Sequence, residues 1–293
     1  MPEAVQSSEL SLWRHRDFMM LWSGQAISEL GAAVSTVALP LTAVVLLHAS
    51  TFQVGLLTTA GTISFLLIAL PAGLIVDRVA KRRLMIGCDI ARMLVIGSVP
   101  VAALLGGLTM VQLFAVALLV GLATVFFDVA YQSYVPALIA PEQLHDGNGK
   151  LGATQAFAQV AGPGLGGGLF SLLPASALAV NAFSYALSWV SLLLIRTPPP
   201  EPVRGQAAAG VAGLRTELFA GLAFVFRHPV LRKIAACTGT ANLFGSMAGA
   251  LEIVFLVRVL KVSPADTGVL VAVGSVGGIL GGVLSPRLSR RIG

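Results

Sequence analysis

The chain has 293 residues, 56% of them hydrophobic and only 11% charged, with a formal net charge of +6. A soluble domain carries roughly 25% charged residues, so this chain cannot cover a water-facing surface and lipid must be its solvent. The basic excess does not point to nucleic acid, because the bases lie in short segments between apolar runs, where they orient a membrane protein.

The N-terminal segment is polar and ends in Arg14, His15 and Arg16. The apolar run over 18–47 is too long for the core of a cleaved signal peptide and predicts a first spanning helix. A span needs roughly 20 apolar residues. Further spans are predicted over 52–76, 84–105, 110–131, 151–172, 175–195, 234–257 and 267–288, which makes eight. The short breaks at 48–51 and 106–109 predict antiparallel helical hairpins. The stretch 196–213 holds four prolines near its start and then an Ala/Gly-rich run, which reads as a linker. Leu214, Leu218, Leu222 and Val225 then recur at helical spacing and predict an amphipathic helix on the membrane surface. The chain divides into a six-helix half over 1–195, a linker with its surface helix over 196–230, and two helices over 231–293.

Eight spans put both termini on one side. That side and its loops hold sixteen of the 19 basic residues, so the positive-inside rule predicts that both ends are cytoplasmic. The loop after the second span reads Gly73-x-x-x-Asp77-Arg78-x-x-Lys81-Arg82-Arg83. It recurs as Gly282-x-x-x-Pro286-Arg287-x-x-Arg290-Arg291 at a constant offset of 209 residues. Six spans precede the linker and two follow it, so the repeat predicts a parent of six plus six helices lacking its last four. A chain so shortened cannot close a central cavity, and no transport is expected from these residues alone.

The first of these loops resembles the signature loop between helices two and three of the major facilitator superfamily. In the fifth span, Gly152, Gly162, Pro163, Gly166 and Gly167 resemble the glycine–proline motif of antiporters in that superfamily. The strings 25–31, 89–92 and 148–155 resemble its macrolide-efflux and enterobactin-exporter branch. Ala32 departs from that branch, where an acidic residue is expected, and Pro286 replaces the Asp of the first loop. The resemblance implies an all-α membrane protein of the major facilitator fold: two pseudo-repeated six-helix halves, the second truncated, with about eight of twelve helices present. It further implies a monomeric secondary transporter of the plasma membrane, without cofactor or nucleic-acid partner. Such a protein exports amphipathic small molecules (a drug, macrolide or siderophore) in exchange for protons, by alternating access. A membrane sensor or assembly protein on the same fold, and a channel, are the competing classes.

Asp77, among Arg78, Lys81, Arg82 and Arg83, reads either as part of a solvated loop or as a latch toward the eleventh helix of the family, against which Gly73 would pack. In the second copy, Gly282, Arg287, Arg290 and Arg291 keep the frame of the loop without the acid. Pro163 and its glycines read as a packing and bending surface. A charge at mid-membrane costs roughly 2.5–3.5 kcal/mol, which singles out four spans. Glu29, on a face with Gln25, is the candidate proton or cationic-substrate site, set against an internal polar contact. Asp89, Arg92 and Asp128 read as a structural cluster built on an Asp89–Arg92 or Asp128–Arg92 pair. Glu252 is the acidic residue of the second half. Gln155, Asn181 and Asn242 are polar enough to line a cavity or to bond neighbouring helices. No phosphate-binding Gly-Lys-Ser/Thr motif occurs, and the four histidines, His15, His48, His145 and His228, are expected in loops. Cys88 and Cys237 imply no disulfide framework or metal site. An enzyme is not expected.

Overall fold

The computed structural model describes residues 12–174, 176–196 and 223–277. The first half consists of α1 (Arg16–Leu41), α2 (Thr51–Val76), α3 (Lys81–Leu104), α4 (Met110–Leu138), α5 (Leu144–Leu172) and α6 (Ser176–Leu194). The second contributes α7 (Pro229–Val254) and a helix whose described part covers 264–277, here α8. Most of the predicted linker and surface helix lies outside the described residues, as does the second loop copy with Gly282, Arg287, Arg290 and Arg291. On length and composition alone, Arg16–Leu46, Lys81–Leu104, Met110–Leu138 and Ser176–Leu194 qualify as membrane spans.

Helix starts follow from side-chain caps rather than from hydropathy. His15 Nδ1 accepts the Phe18 N–H at 3.1 Å, and Thr109 Oγ1 accepts that of Gln112 at 3.3 Å. These acceptors satisfy amides that the first turn leaves open. Hydropathy therefore places several ends too far inward. α5 begins at Leu144, seven residues before the predicted start, because its polar first turns remain helical beyond the apolar stretch. His145 consequently lies in a helix and not in a loop. α7 begins at Pro229, where proline suits the first helical position.

The predicted α3–α4 hairpin forms, but α1 and α2 scarcely touch. α2 packs instead on α4, and α1 packs between α5 and α6. Small residues decide these pairings. On α1, Gly24, Ser28 and Gly31 share one face and are all buried. They meet a matching stripe of Ser184, Ser188 and Ser191 on α6. A Cβ at Gly24 would sit 1.9 Å from Ser191 Oγ, and one at Gly31 2.0 Å from Ser184 Oγ. Across α2 and α4, Ser64 Oγ donates to the Leu118 carbonyl at 3.1 Å, beside Gly121.

Two apolar cores stack along the bundle. One, around Phe18, Met85, Phe127 and Tyr134, lies at the end that carries Arg78–Arg83, called here the basic end. The other, around Val34, Leu41, Leu57, Leu113 and Phe170, lies at the opposite end and takes in Ile253 and Val254 of α7. Between them on α3, after Cys88 of the first core and before Ile96 of the second, Asp89 and Arg92 are buried. The second half thus joins the first at the end remote from the basic loop. Toward the basic end, α7 is exposed over 232–240.

The two halves also repeat at the turn between their first two helices. α1 ends in a widened π-type turn, Thr42–Leu46, and α7 in Phe255–Val259. Each is followed by a residue of positive φ, His48 and Lys261. Ser50 then caps α2 with Gln53, and Ser263 caps α8 with Asp266. Each pair is separated by 213 residues. The loop copies differ by 209, a deficit of four residues, which is close to one helical turn.

Candidate functional site

Three helices each present a stripe at helical spacing to one cavity of about 340 Å³. α1 supplies Trp22, Gln25, Ala26 and Glu29. α4 supplies Asp128, Tyr131 and Gln132. The polar start of α5 supplies Asn148, Leu151, Gly152, Thr154 and Gln155. All three stripes lie in the parts of their helices nearer the basic end. Gln25 Nε2 donates to Glu29 Oε1 at 2.9 Å, and Trp22 Nε1 donates to Thr154 Oγ1 at 3.1 Å, tying α1 to α5.

Behind the cavity, Arg92 pairs with Asp89 one turn away on α3. The guanidinium lies between two rings, 4.1 Å from the centroid of Phe127 and 4.4 Å from that of Tyr185. Rings at this distance stabilise a desolvated cation. Of the two pairings open in the sequence, the structure adopts Asp89–Arg92. Asp128 lines the cavity with Glu29 and also feels the charge of Arg92. Arg92 attracts Glu29, Asp89 and Asp128, while Glu29 and Asp128 repel each other. One buried guanidinium thus faces three carboxylates.

The remaining predicted residues fall into separate places. Asp77 is exposed at the C-terminal end of α2, its N–H donating to the Gly73 carbonyl at 3.1 Å. A Cβ at Gly73 would meet no described atom within 4 Å. Lys81 opens α3. Arg82 crosses to α6 and donates to the carbonyls of Leu192 at 2.9 Å and Leu193 at 3.0 Å, a favourable place for a cation at a helix C-terminus. Arg83 is exposed, and Arg78 is half-buried.

The glycine–proline stretch of α5 is a two-sided seam. A Cβ at Gly162 would lie 2.3 Å from Ala33 Cβ, and one at Gly166 2.5 Å from the Val34 carbonyl oxygen, both on α1. On its other side, a Cβ at Gly167 would lie 2.3 Å from the Pro264 carbonyl oxygen, and one at Gly268 2.4 Å from that of Pro163. α5 and α8 therefore meet backbone to backbone. Nearby, Arg258 donates to the Ala49 carbonyl of the α1–α2 turn, a second tie between the halves. Glu252 is exposed on α7 and lines no part of the cavity. Asn181 donates to Ser35 Oγ at 2.6 Å and ties α6 to α1, whereas Asn242 is exposed and donates to the Thr238 carbonyl of its own helix.

Sequence reasoning found Glu29, Gln25, Gln155 and Gly152 of this cavity. It missed Trp22, Tyr131, Gln132, Asn148 and Thr154. The signal lay in spacing: Trp22 precedes Gln25 by three residues, and Asn148 precedes Gln155 by seven, so each shares a helix face with a residue already singled out.

Residues 21–293 match the sequence profile of the Major Facilitator Superfamily. The chain belongs to that superfamily. Among known members it is similar to the multidrug efflux pump Tap of Mycolicibacterium fortuitum, 29% identical over 218 residues, covering 70% of this chain and 51% of the pump. It is also similar to macrolide efflux protein A of Streptococcus pyogenes, 24% identical over 185 residues, covering 62% of this chain and 45% of that protein. The chain spans about half the length of these curated relatives. In fold it matches the crystal structure of a bacterial homolog of the human lysosomal transporter Spinster, in an inward-facing and unoccupied conformation. That match has a TM-score of 0.69 at 18% identity, covering 95% of this chain and 64% of the other. The major facilitator fold expected from the loop and glycine motifs is the fold of this chain, and its superfamily is one of multi-pass membrane proteins.

Proposed function

We propose that this protein works as a secondary active exporter of amphipathic small molecules, driven by exchange for protons across the plasma membrane. The observation that carries the reading is the pair of carboxylates, Glu29 and Asp128, lining one cavity inside a bundle in which the buried Arg92 makes its direct ion pair with Asp89. A carboxylate in a membrane interior is costly. Protonation removes that cost, and so does a bound cation, which makes the two mutually exclusive occupants. Relatives named as drug and macrolide efflux pumps support the same class.

The halves meet at the Gly167–Gly268 seam and at Arg258, while α7 is exposed toward the basic end. With the basic end in the cytoplasm, as the positive-inside rule predicts, the halves are joined at the end remote from the cytoplasm. Rocking the halves about the seam would close the basic end, and there Asp77 would act as the latch. In cells expressing the complete reading frame that contains this chain, dye efflux should collapse when the proton gradient is dissipated. Glu29→Gln should remove efflux while the protein still reaches the membrane. Efflux indifferent to the gradient and to Glu29→Gln overturns the reading. Asp77→Asn should likewise stop efflux without impairing insertion, and unchanged efflux in that variant removes the latch.

A further inference from the structure

The first helix of each half begins on a histidine. At the start of α1, His15 Nδ1 accepts the Phe18 N–H at 3.1 Å, and at the start of α7, His228 Nδ1 accepts the Leu231 N–H at 3.4 Å. An arginine precedes each, Arg14 and Arg227. His15 and His228 are 213 residues apart, the separation that also relates His48 to Lys261 and Ser50 to Ser263. The two caps are therefore copies of one element. Ser, Thr, Asn and Asp are the preferred residues at this position, and Ser50 and Thr109 fill it on α2 and α4. An imidazole adds what those side chains lack, a charge change between about pH 5 and 8. The neutral ring offers a lone pair on Nδ1, whereas the protonated ring carries two donors and accepts nothing. Its positive charge also opposes the positive end of the helix dipole.

The surroundings of both caps are mainly basic. His15 is half-buried and His228 exposed. Arg14, Arg16 and Asp17 flank His15 in sequence. From α5, Lys150 lies over the Trp13 ring and pairs with Asp146, beside His145. From α3, Arg82 reaches the end of α6, and just beyond that end the Arg196 N–H donates to Asp17 at 3.2 Å. Around His228 stand Arg227, Arg232 and Lys233 of its own segment, with the Phe224 ring 6.1 Å away. The caps also bracket the segment that joins the halves: Asp17, two residues after His15, holds its beginning at Arg196, and His228 stands at its end.

We propose that His15 and His228 form a paired, pH-sensitive fastening at the basic end of the molecule. With both rings neutral, the first turns of α1 and α7 are held and the joining segment is anchored at both ends. When the rings take up protons, both turns loosen. The sign is fixed by the geometry, because only the neutral ring can cap: acidification releases the fastening and a return to higher pH restores it. The device is independent of what the protein carries.

Amide hydrogen exchange of the full chain in detergent at pH 7.5 and 5.5, with each rate divided by that of an unprotected amide at the same pH, reads the caps directly. Going to the lower pH, the first turns of α1 and α7 should each lose about tenfold in protection, the equivalent of one cap. The first turn of α4, capped by Thr109, should not change. His15→Asn and His228→Asn keep an acceptor without a titrating ring, so each should abolish the response of its own helix and leave the other's in place. An equal change in all three first turns overturns the proposal, as does a response that persists in both Asn variants. A response in α1 or α7 alone removes the pairing. If the variants fail to fold, the comparison with α4 in the unmodified chain decides alone.

Discussion

The glycines of α5 allow a sign test within one helix. At Gly166, an added Cβ would lie 2.5 Å from the Val34 carbonyl oxygen and 3.3 Å from its carbonyl carbon. Ordinary carbon–oxygen contacts begin at about 3.3 Å, so α5 must retreat from α1 by nearly 1 Å. The obstacle is backbone and cannot rotate away. At Gly168, two residues on, a Cβ meets nothing within 4 Å among the described residues. Overpacking costs about 1–3 kcal/mol, while alanine gains up to about 1 kcal/mol over glycine inside a helix. Gly166→Ala should therefore lose about 1–2 kcal/mol, and Gly168→Ala should be neutral or gain slightly. For a chain of this size, thermal midpoints move by roughly 2–4 °C per kcal/mol. Thermal unfolding of both variants in one detergent reads the difference. Equal midpoints for the two would refute the seam, as would a Gly166→Ala variant that melts with the parent.

Further substitutions probe three of the polar contacts. Arg92→Met leaves the fully buried Asp89 unpaired and should cost about 3–5 kcal/mol; Asp89→Asn should cost less, because Arg92 keeps Phe127 and Tyr185. Equal losses in unfolding by denaturant would show that the rings contribute nothing. Arg82→Gln removes two charge-assisted bonds to the last turn of α6 and should cost about 1.5–3 kcal/mol, with faster amide exchange in that turn; exposed Arg83→Gln should stay within about 0.5 kcal/mol. Arg258→Ala frees the Ala49 carbonyl and should raise the labelling rate of a cysteine placed at His48. Unchanged labelling would mean that this bond does not hold the halves together.

Hydropathy revealed that the chain is helical and spans a membrane, because a run of apolar residues reports its solvent directly. It misjudged helix ends and partners, because those depend on smaller signals. The start of α5 at Leu144 is invisible to hydropathy, since its first turns are polar. The separation of α1 from α2 is decided by serines and glycines that meet only across α6 and α4. Short loops restrict where a helix can go, but surface complementarity decides which neighbour it packs against. The second repeat was legible in principle: Ser50 with Gln53 and Ser263 with Asp266 share a spacing that caps helices. It went unread because neither pair stands out alone.

The charged residues show the same limit more sharply. Spacing placed Asp89 and Arg92 on one face of α3, and the pair forms there. It could not place Asp128, because the face of α4 that looks inward is fixed by contacts with α2 and α3 rather than by its own apolar pattern. α4 is apolar nearly all round, so the sequence gives no preferred direction for its single acid. With the packing known, Asp128 is seen to line the cavity with Glu29 while still feeling the charge of Arg92. The expected cluster of Asp89, Arg92 and Asp128 becomes one direct pair, Asp89–Arg92, beside a cavity that Asp128 and Glu29 line. Two acids from different helices therefore share one cavity beside a buried tyrosine hydroxyl that has no hydrogen-bond partner among the described residues.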